Sequence, residues 1–208
     1  SRGKVVERSA DGKAVRVIGT NVDITERKIQ EQRIARLSRI HAVLSGINSA
    51  IVRMRNRQEI MEEACRIAQE HGGFTFSWIG LVDENGQRIE PVAKAGKDEG
   101  YLARRKLTLD PTVTRHLELA VEALARGAPV ICNDIATDGR MRAWRESALE
   151  RGYRSTVMLP LVVERKAVGV FALYASEAGF FDDDEIKLLV ELADDIGFAL
   201  QTIEKQER

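Results

Sequence analysis

Cysteine is nearly absent from this 208-residue chain, with Cys65 and Cys132 its only two. Two thiols make no disulfide framework, and each lies in an apolar run, where a buried, inert thiol is the expectation. Histidine is almost as scarce: His41, His71 and His116 stand too far apart in sequence to form a paired metal motif. Neither sign of charge is in excess, Lys+Arg and Asp+Glu being 32 each. Nothing in that balance points to nucleic acid or an anionic membrane as a partner. No apolar run approaches the ~18 residues of a membrane span, and no signal peptide is present. The chain opens on Ser1 rather than methionine, so the expectation is a cytoplasmic segment of something longer. What remains is 44% hydrophobic residues, enough for one good core and part of a second.

The stretch 25–57 (TERKIQEQRIARLSRIHAVLSGINSAIVRMRNR) holds no proline and one glycine. Leu37, Ile40, Leu44, Ile47, Ile51 and Met54 recur three and four apart, which keeps a narrow stripe on one side of a helix. Ile34, Leu37, His41 and Leu44 form a second, overlapping seam. Such a helix would be about 48 Å long, more than a small core requires, so the expectation is a linker helix. Its eight basic and two acidic residues contrast with three basic and nine acidic at 182–208. In the latter helix Ile186, Leu189, Ala193, Ile196, Leu200 and Ile203 share a seam. Together the seams predict a parallel homodimer, with Leu37, Ile40, Leu44, Ile47, Ile51, Met54, Ile196, Leu200 and Ile203 at its contact.

Taken in order, residues 4–8 and 14–23 read as strands around the Asp11-Gly12 turn, with Thr25 as N-cap of the helix that follows. That helix breaks at Asn56, which starts a second one ended by His71-Gly72-Gly73. Residues 74–83 and 87–95 are strands, the latter carrying Pro91 and therefore at an edge. A hydrophilic segment, 96–111, has Tyr101 as its one large anchor. Helix 112–126, strand 129–132, a polar helix at 139–151, strands 154–163 and 167–175, and helix 182–207 complete the chain. The order predicts an α+β fold: an antiparallel sheet, N- and C-terminal helices on one face, and a pocket on the other covered by 97–128 and 139–151.

Two resemblances attach to these residues. "ADGKAVRVIGTNVDITERK" resembles the C-terminal end of a PAS sensor domain, where an Asp-Ile-Thr triplet precedes an outgoing helix. Only its last two strands are present. "GGFTFSWIGLVDENG", "CNDIATDGRMRAWRESALERGYRSTVMLPLVVERKAVGVFALYA" and "FFDDDEIKLLVELADDIGFAL" resemble a bacterial signalling GAF domain, over about residues 40–203. The resemblance implies three parts: truncated PAS strands at 1–24, a signalling linker helix at 25–56 and a GAF domain at 57–208. It also implies an output domain beyond Arg208, of the histidine kinase, diguanylate cyclase or cyclic-di-GMP phosphodiesterase kind.

GAF chemistries can be compared residue by residue. Cyclic-nucleotide members carry Asn-Lys, then Phe, three residues, and Asp-Glu. Phe180, Asp184 and Glu185 fit, but Tyr174-Ala175 stand where Asn-Lys would be. Neither cysteine matches the pocket thiols of bilin-binding members or of the free methionine sulfoxide reductases. No cofactor is expected, and no paired nucleophile and base is found. The densest polar cluster is Asp134, Asp138, Arg140, Arg142, Trp144 and Arg145, which could grip a small anion or aromatic ligand or be a solvated helix. The expected pocket residues are Trp78, Asp134, Asp138, Arg142, Trp144, Arg154 and Phe171. The function expected is a non-catalytic relay of a small-molecule or upstream PAS signal; the alternative is a dimerising spacer with a vestigial pocket.

Overall fold

The computed structural model describes residues 2–20, 22–104, 107–110 and 119–207. The chain divides into two compact units, Ser1–Ala35 and Arg36–Arg208. In the first, β1 (Arg2–Arg8) and β2 (Ala14–Thr20) form an antiparallel ribbon with Val5 opposite Val17. Gly12, at φ +83°, closes its turn by donating to the Ser9 carbonyl at 2.9 Å. Helix α1 (Thr25–Arg53) begins here. Its first free N–H, that of Thr25, is met by the Asp23 carboxylate at 2.9 Å, so Asp23 does the capping expected of Thr25.

The second unit contains the rest of α1, α2 (Arg57–Gly72), β3 (Phe76–Val82), β4 (Ile89–Gly96), α3 (Leu119–Arg126), β5 (Val130–Cys132), α4 (Arg145–Glu150), β6 (Ser155–Val163), β7 (Lys166–Ala175) and α5 (Asp183–Glu207). Of the expected helix 112–126, residues 112–118 lie outside the described residues, as does His116. The expected helix 139–151 is a 3-10 turn at Gly139–Met141 followed by the short α4. Asn56 starts α2 by accepting from the Gln58 and Glu59 amides at 2.8 and 3.3 Å.

The sheet runs β4-β3-β7-β6-β5, antiparallel throughout. Its alternation sends Ile79, Leu159, Phe171 and Leu173 to one face, where they meet Ile40, Val43, Ala64, Leu192 and Ile196 of the helices. Phe76, Trp78, Met158, Ala172 and Tyr174 go to the other, under α3, α4 and their loops. Phe171 therefore is not a pocket residue: one position along β7 is the thickness of the sheet.

The helix seams also differ from the dimer contact expected of them. The fully buried stripe of α1 is Ile40, Val43, Ile47 and Ala50, all inside the domain's own core. Leu37, Leu44, Ile51 and Met54 flank it, half-buried. Ile196 and Leu200 lie in the same core, and Ile203 packs with Ile60 and Ala199. The sheet's apolar face takes the best hydrophobic residues of both helices, which leaves a partner only the flanks.

β4 is an edge strand, as Pro91 suggests. Residues 107–109 cover its start through Ile89 N–H to Leu107 O (2.8 Å) and Leu109 N–H to Gln87 O (2.7 Å). Further along, a register shift in the pairing with β3 and the Gln58 side-chain amide donating to Val92 O at 2.7 Å blunt the edge.

Gly197 sets how closely α5 lies on β6: a Cβ there would stand 2.5 Å from the Val162 carbonyl oxygen. At Gly46 the nearest obstacle is a movable Ile67 side chain at 3.0 Å. Alanine gains about 1 kcal/mol of helix propensity at either site; against backbone the clash costs about 1–3 kcal/mol or more. Urea unfolding should show Gly197→Ala destabilised by up to about 2 kcal/mol net of the propensity gain, and Gly46→Ala close to neutral or slightly stabilised.

Candidate functional site

The sheet face away from the long helices is filled at one end by aromatic rings. Phe76 pairs across the sheet with Tyr174, and Tyr101 and Tyr153 come down onto them from the covering segments, with ring centroids 4.7–6.5 Å apart. All four are fully buried. The Tyr153 hydroxyl donates to the Lys97 carbonyl, and burial raises its pKa above that of an ordinary tyrosine. Arg151, only 6% exposed, locks this end. It donates to Asp98 O (2.9 Å), Glu99 O (2.6 Å) and Ser147 O (2.7 Å), and its guanidinium sits 5.7 Å from the Tyr101 ring centre. The turn it holds is strained, Glu99 having φ +45°. Sequence reasoning passed over Arg151 because, beside Glu150 and Gly152, it reads as one more charge at the end of a surface helix.

The next row across the sheet is Lys94, Trp78, Ala172, Met158 and Val130. Trp78 is fully buried, and its indole Nε1–H has no partner among the described residues. The absence of side chain at Gly80 makes room for it: a Cβ there would meet Trp78 Cζ3 at 2.7 Å and Ile89 Cγ2 at 2.5 Å. Ile89 also walls a groove of about 840 Å³ along β4, bounded by Glu62 and Arg66 of α2, Val92 and Lys94 of the strand, and Leu102 and Leu107. That volume suits a small organic molecule. The groove meets the expected pocket in the sheet and part of the 97–128 segment, but α2 forms its other wall, and the 139–151 region does not contribute.

The polar cluster of 134–154 does not converge on this groove. Asp134 accepts from the Ala136 amide (3.0 Å) and the Thr137 hydroxyl (2.7 Å). Asp138 accepts from the Arg140 amide (2.9 Å) and guanidinium (2.6 Å), and Arg140 also donates to Ile131 O on β5. Arg145 donates to Ile135 O and Asp138 O. Arg142 and Arg154 are exposed, and Trp144 is half-buried against the aromatic core. Asp134, Asp138 and Arg145 thus brace the covering loop from within, and Arg140 fastens it to β5. Of the seven expected pocket residues, Trp78 alone stands beside the groove.

The cysteines fare as expected. Cys65 is on the buried side of α2, in the core between helices and sheet, and Cys132 is on the opposite face. Burial pushes both thiols up to about 12, with the nearby Asp138 carboxylate adding to the effect at Cys132. His41 and His71 are exposed. Among the described residues no three His, Cys, Asp or Glu stand together as a metal site, and no helix is long and apolar enough to cross a membrane.

Asp138 offers a test of the fastening. Its hydrogen bond from Arg140 outweighs burial and holds its pKa at about 2, below the usual 3.8. A depressed folded-state value means stabilisation that is complete above pH 3.8 and lost as pH falls through 2. Asp138→Asn should lower the melting temperature at pH 7, with the gap to the parent closing between pH 4 and 2. A gap that stays constant would show that the carboxylate's charge does not hold the loop.

Comparison with known proteins places these features in a family. The GAF domain profile matches residues 54–201. No curated protein matches the sequence at a significant level. Among solved structures, the free methionine-R-sulfoxide reductase of Neisseria meningitidis, in complex with its substrate, is 17% identical, covers 81% of this chain and 92% of its own, and has TM-score 0.65. The GAF domain of a phosphoenolpyruvate-protein phosphotransferase from Coxiella burnetii is 13% identical, with coverages of 82% and 98% and TM-score 0.66. A domain of a putative two-component sensor histidine kinase from Sinorhizobium meliloti is 21% identical, with coverages of 72% and 94% and TM-score 0.55. At such identities these likenesses speak for the fold, and the profile match spans most of the chain: it belongs to the GAF domain family.

Proposed function

We propose that residues 36–207 are a non-catalytic sensory domain that admits a small molecule along the β4 groove and registers it at Trp78. The observation that carries this reading is the buried Trp78, whose indole N–H has no acceptor among the described residues and whose cross-strand neighbour Lys94 lines a groove of ligand size. An unmade buried hydrogen bond costs about 1–3 kcal/mol, which a ligand oxygen reaching Trp78 would recover. Domains of similar fold occur in a putative two-component sensor histidine kinase protein and a methyl-accepting chemotaxis protein. In this reading α1 and α5 pass the change to adjoining domains of the same chain, the ribbon 2–20 being the end of a PAS domain. A homodimer would use the half-buried flanks Leu44, Ile51 and Met54 with Val52 and Phe198, which are 74% and 69% exposed.

The dense aromatic packing around Phe76 and Tyr153 favours the second reading, a spacer whose pocket is closed. A reductase reading, prompted by the relatives that are free methionine sulfoxide reductases, meets the chemistry of the thiols. Cys65 and Cys132 are protonated at neutral pH and lie on opposite faces of the sheet, so neither serves as nucleophile or resolving partner for the other. Both should label slowly with a thiol reagent in the native protein and promptly in denaturant. Rapid native labelling at either would restore the reductase reading.

The sensory reading is tested with free methionine-R-sulfoxide, cyclic AMP and cyclic GMP as probes. At least one should raise the melting temperature and shift the tryptophan emission. Trp78→Phe, which keeps the ring and removes the N–H, should fold and lose that response. A Trp78→Phe protein more stable than its parent, with every probe inert on both, would leave the spacer in its place.

A further inference from the structure

Residues 176–182 join β7 to α5 and are gripped from several sides. From the exit of β5, Asn133 donates its side-chain amide to Phe181 O (2.7 Å) and accepts from Phe181 N–H (3.0 Å). Its backbone carbonyl also accepts from Gly179 N–H (2.7 Å). From β6, the Ser155 hydroxyl donates to Glu177 O at 2.6 Å. From α1, Arg36 Nη1 donates to Gly179 O and Phe180 O, both at 3.3 Å, with its guanidinium 5.7 Å from the Phe180 ring centre. Its Nε is 4.0 Å from the Glu177 carboxylate. The grip of Asn133 is tight, whereas that of Arg36 lies at the long limit of hydrogen bonding.

The segment is continuous with the cap of α5. Asp182, next after Phe181, accepts from the Asp184 and Glu185 amides at 2.9 and 3.2 Å, and Glu185 returns an acceptor to the Asp182 amide at 3.1 Å. Displacing residue 181 therefore displaces the first turn of the helix. Phe180 and Phe181, each 3% exposed, pack on Phe74 just before β3, so the segment cannot drift without repacking rings.

Two residues of this arrangement, Arg36 and Glu185, also carry a buried side-chain atom with no hydrogen bond. Four buried side-chain polar atoms have no hydrogen-bond partner among the described residues: Arg36 Nε, Arg39 Nε, Glu185 Oε1 and Trp78 Nε1. Three of the four belong to α1 and α5, the helix that touches this segment through Arg36 and the helix that follows it. Native folds meet most buried polar groups, so an arrangement that supplies these with partners competes with the present one.

We infer that residues 176–182 are a coupling strap: Asn133 ties the covering loop 133–138 to the start of α5, and Arg36 ties the same strap to α1 as its releasable contact. A change in the cover thus reaches both helices through one short segment. This deepens the sensory reading by supplying its route. The route is tested without ligand, so its failure and the failure of ligand binding are separable.

The measurement is amide hydrogen exchange on the ligand-free protein carrying Asn133→Ala or Arg36→Gln. Asp83→Ala, which loses two turn hydrogen bonds to the Gln87 and Arg88 amides, is the control for general destabilisation. Asn133→Ala should speed exchange roughly tenfold at 186–190 of α5 and also at 40–44 of α1, which Asn133 does not contact through any hydrogen bond. Arg36→Gln should speed exchange at 136–138 in the cover. Should Asn133→Ala not fold, Asn133→Asp, which keeps the acceptor and loses the donor, takes its place. Effects confined to 133–138 and 186–190, with α1 unchanged, would overturn the strap. So would a rise at all these amides equal to that in Asp83→Ala.

Discussion

The second unit depends on one constraint: its sheet is apolar on both faces, and so both must be kept from water. Along β7, Phe171 and Leu173 go one way and Ala172 and Tyr174 the other. One face takes α1, α2 and α5, and their buried stripes are used up in doing so. Among the described residues the other takes short helices and loops, which bring many backbone polar groups over an apolar surface. The arginines of the cover answer that need. Arg140, Arg145 and Arg151 each donate to main-chain carbonyls, so charges that look like solvated surface are partly buried fasteners.

Against that background the unsatisfied groups are informative. Among the described residues, the buried side-chain polar atoms without a hydrogen bond belong to Trp78, to Arg36 and Arg39 of α1 and to Glu185 of α5. Native folds meet most buried polar groups, and exceptions cluster where a structure has something left to do. Trp78 pairs across the sheet with Lys94 of the groove wall, and Arg36 and Glu185 contact the strap and the cap that continues it. The proposed ligand site and the proposed route thus rest on the same kind of observation in two separate parts of the domain.

Close approach is the other theme. Gly80 and Gly197 stand where a Cβ would meet Ile89 Cγ2 and the Val162 carbonyl oxygen, each at 2.5 Å. One glycine makes room for the tryptophan, and the other lets α5 lie on β6. Neither has a positive φ. Space rather than backbone conformation demands them, which a sequence does not reveal.

Much of the fold was legible in the chain because it depends on local chemistry. Asn56 and Gly73 mark the two ends of α2, Pro91 marks an edge strand, and runs apolar on both faces mark a doubly covered sheet. The location of Cys65 and Cys132 in apolar runs was enough to make them buried. What the sequence could not decide was phase and partner. The 37/40/44/47/51/54 pattern identifies a helix with an apolar side, but the sheet selected an overlapping stripe that keeps Ile40 and Ile47 and adds Val43 and Ala50, because a sheet face buries a broader arc than a coiled-coil seam. Phe171 was misplaced for a similar reason: a strand apolar throughout has no polar alternation to tell its faces apart, and only pairing with its neighbours orients it. The roles of Arg36, Asn133 and Arg151 depend on contacts to residues 143, 48 and 53 positions away, a distance over which only the tertiary fold brings donor and acceptor together.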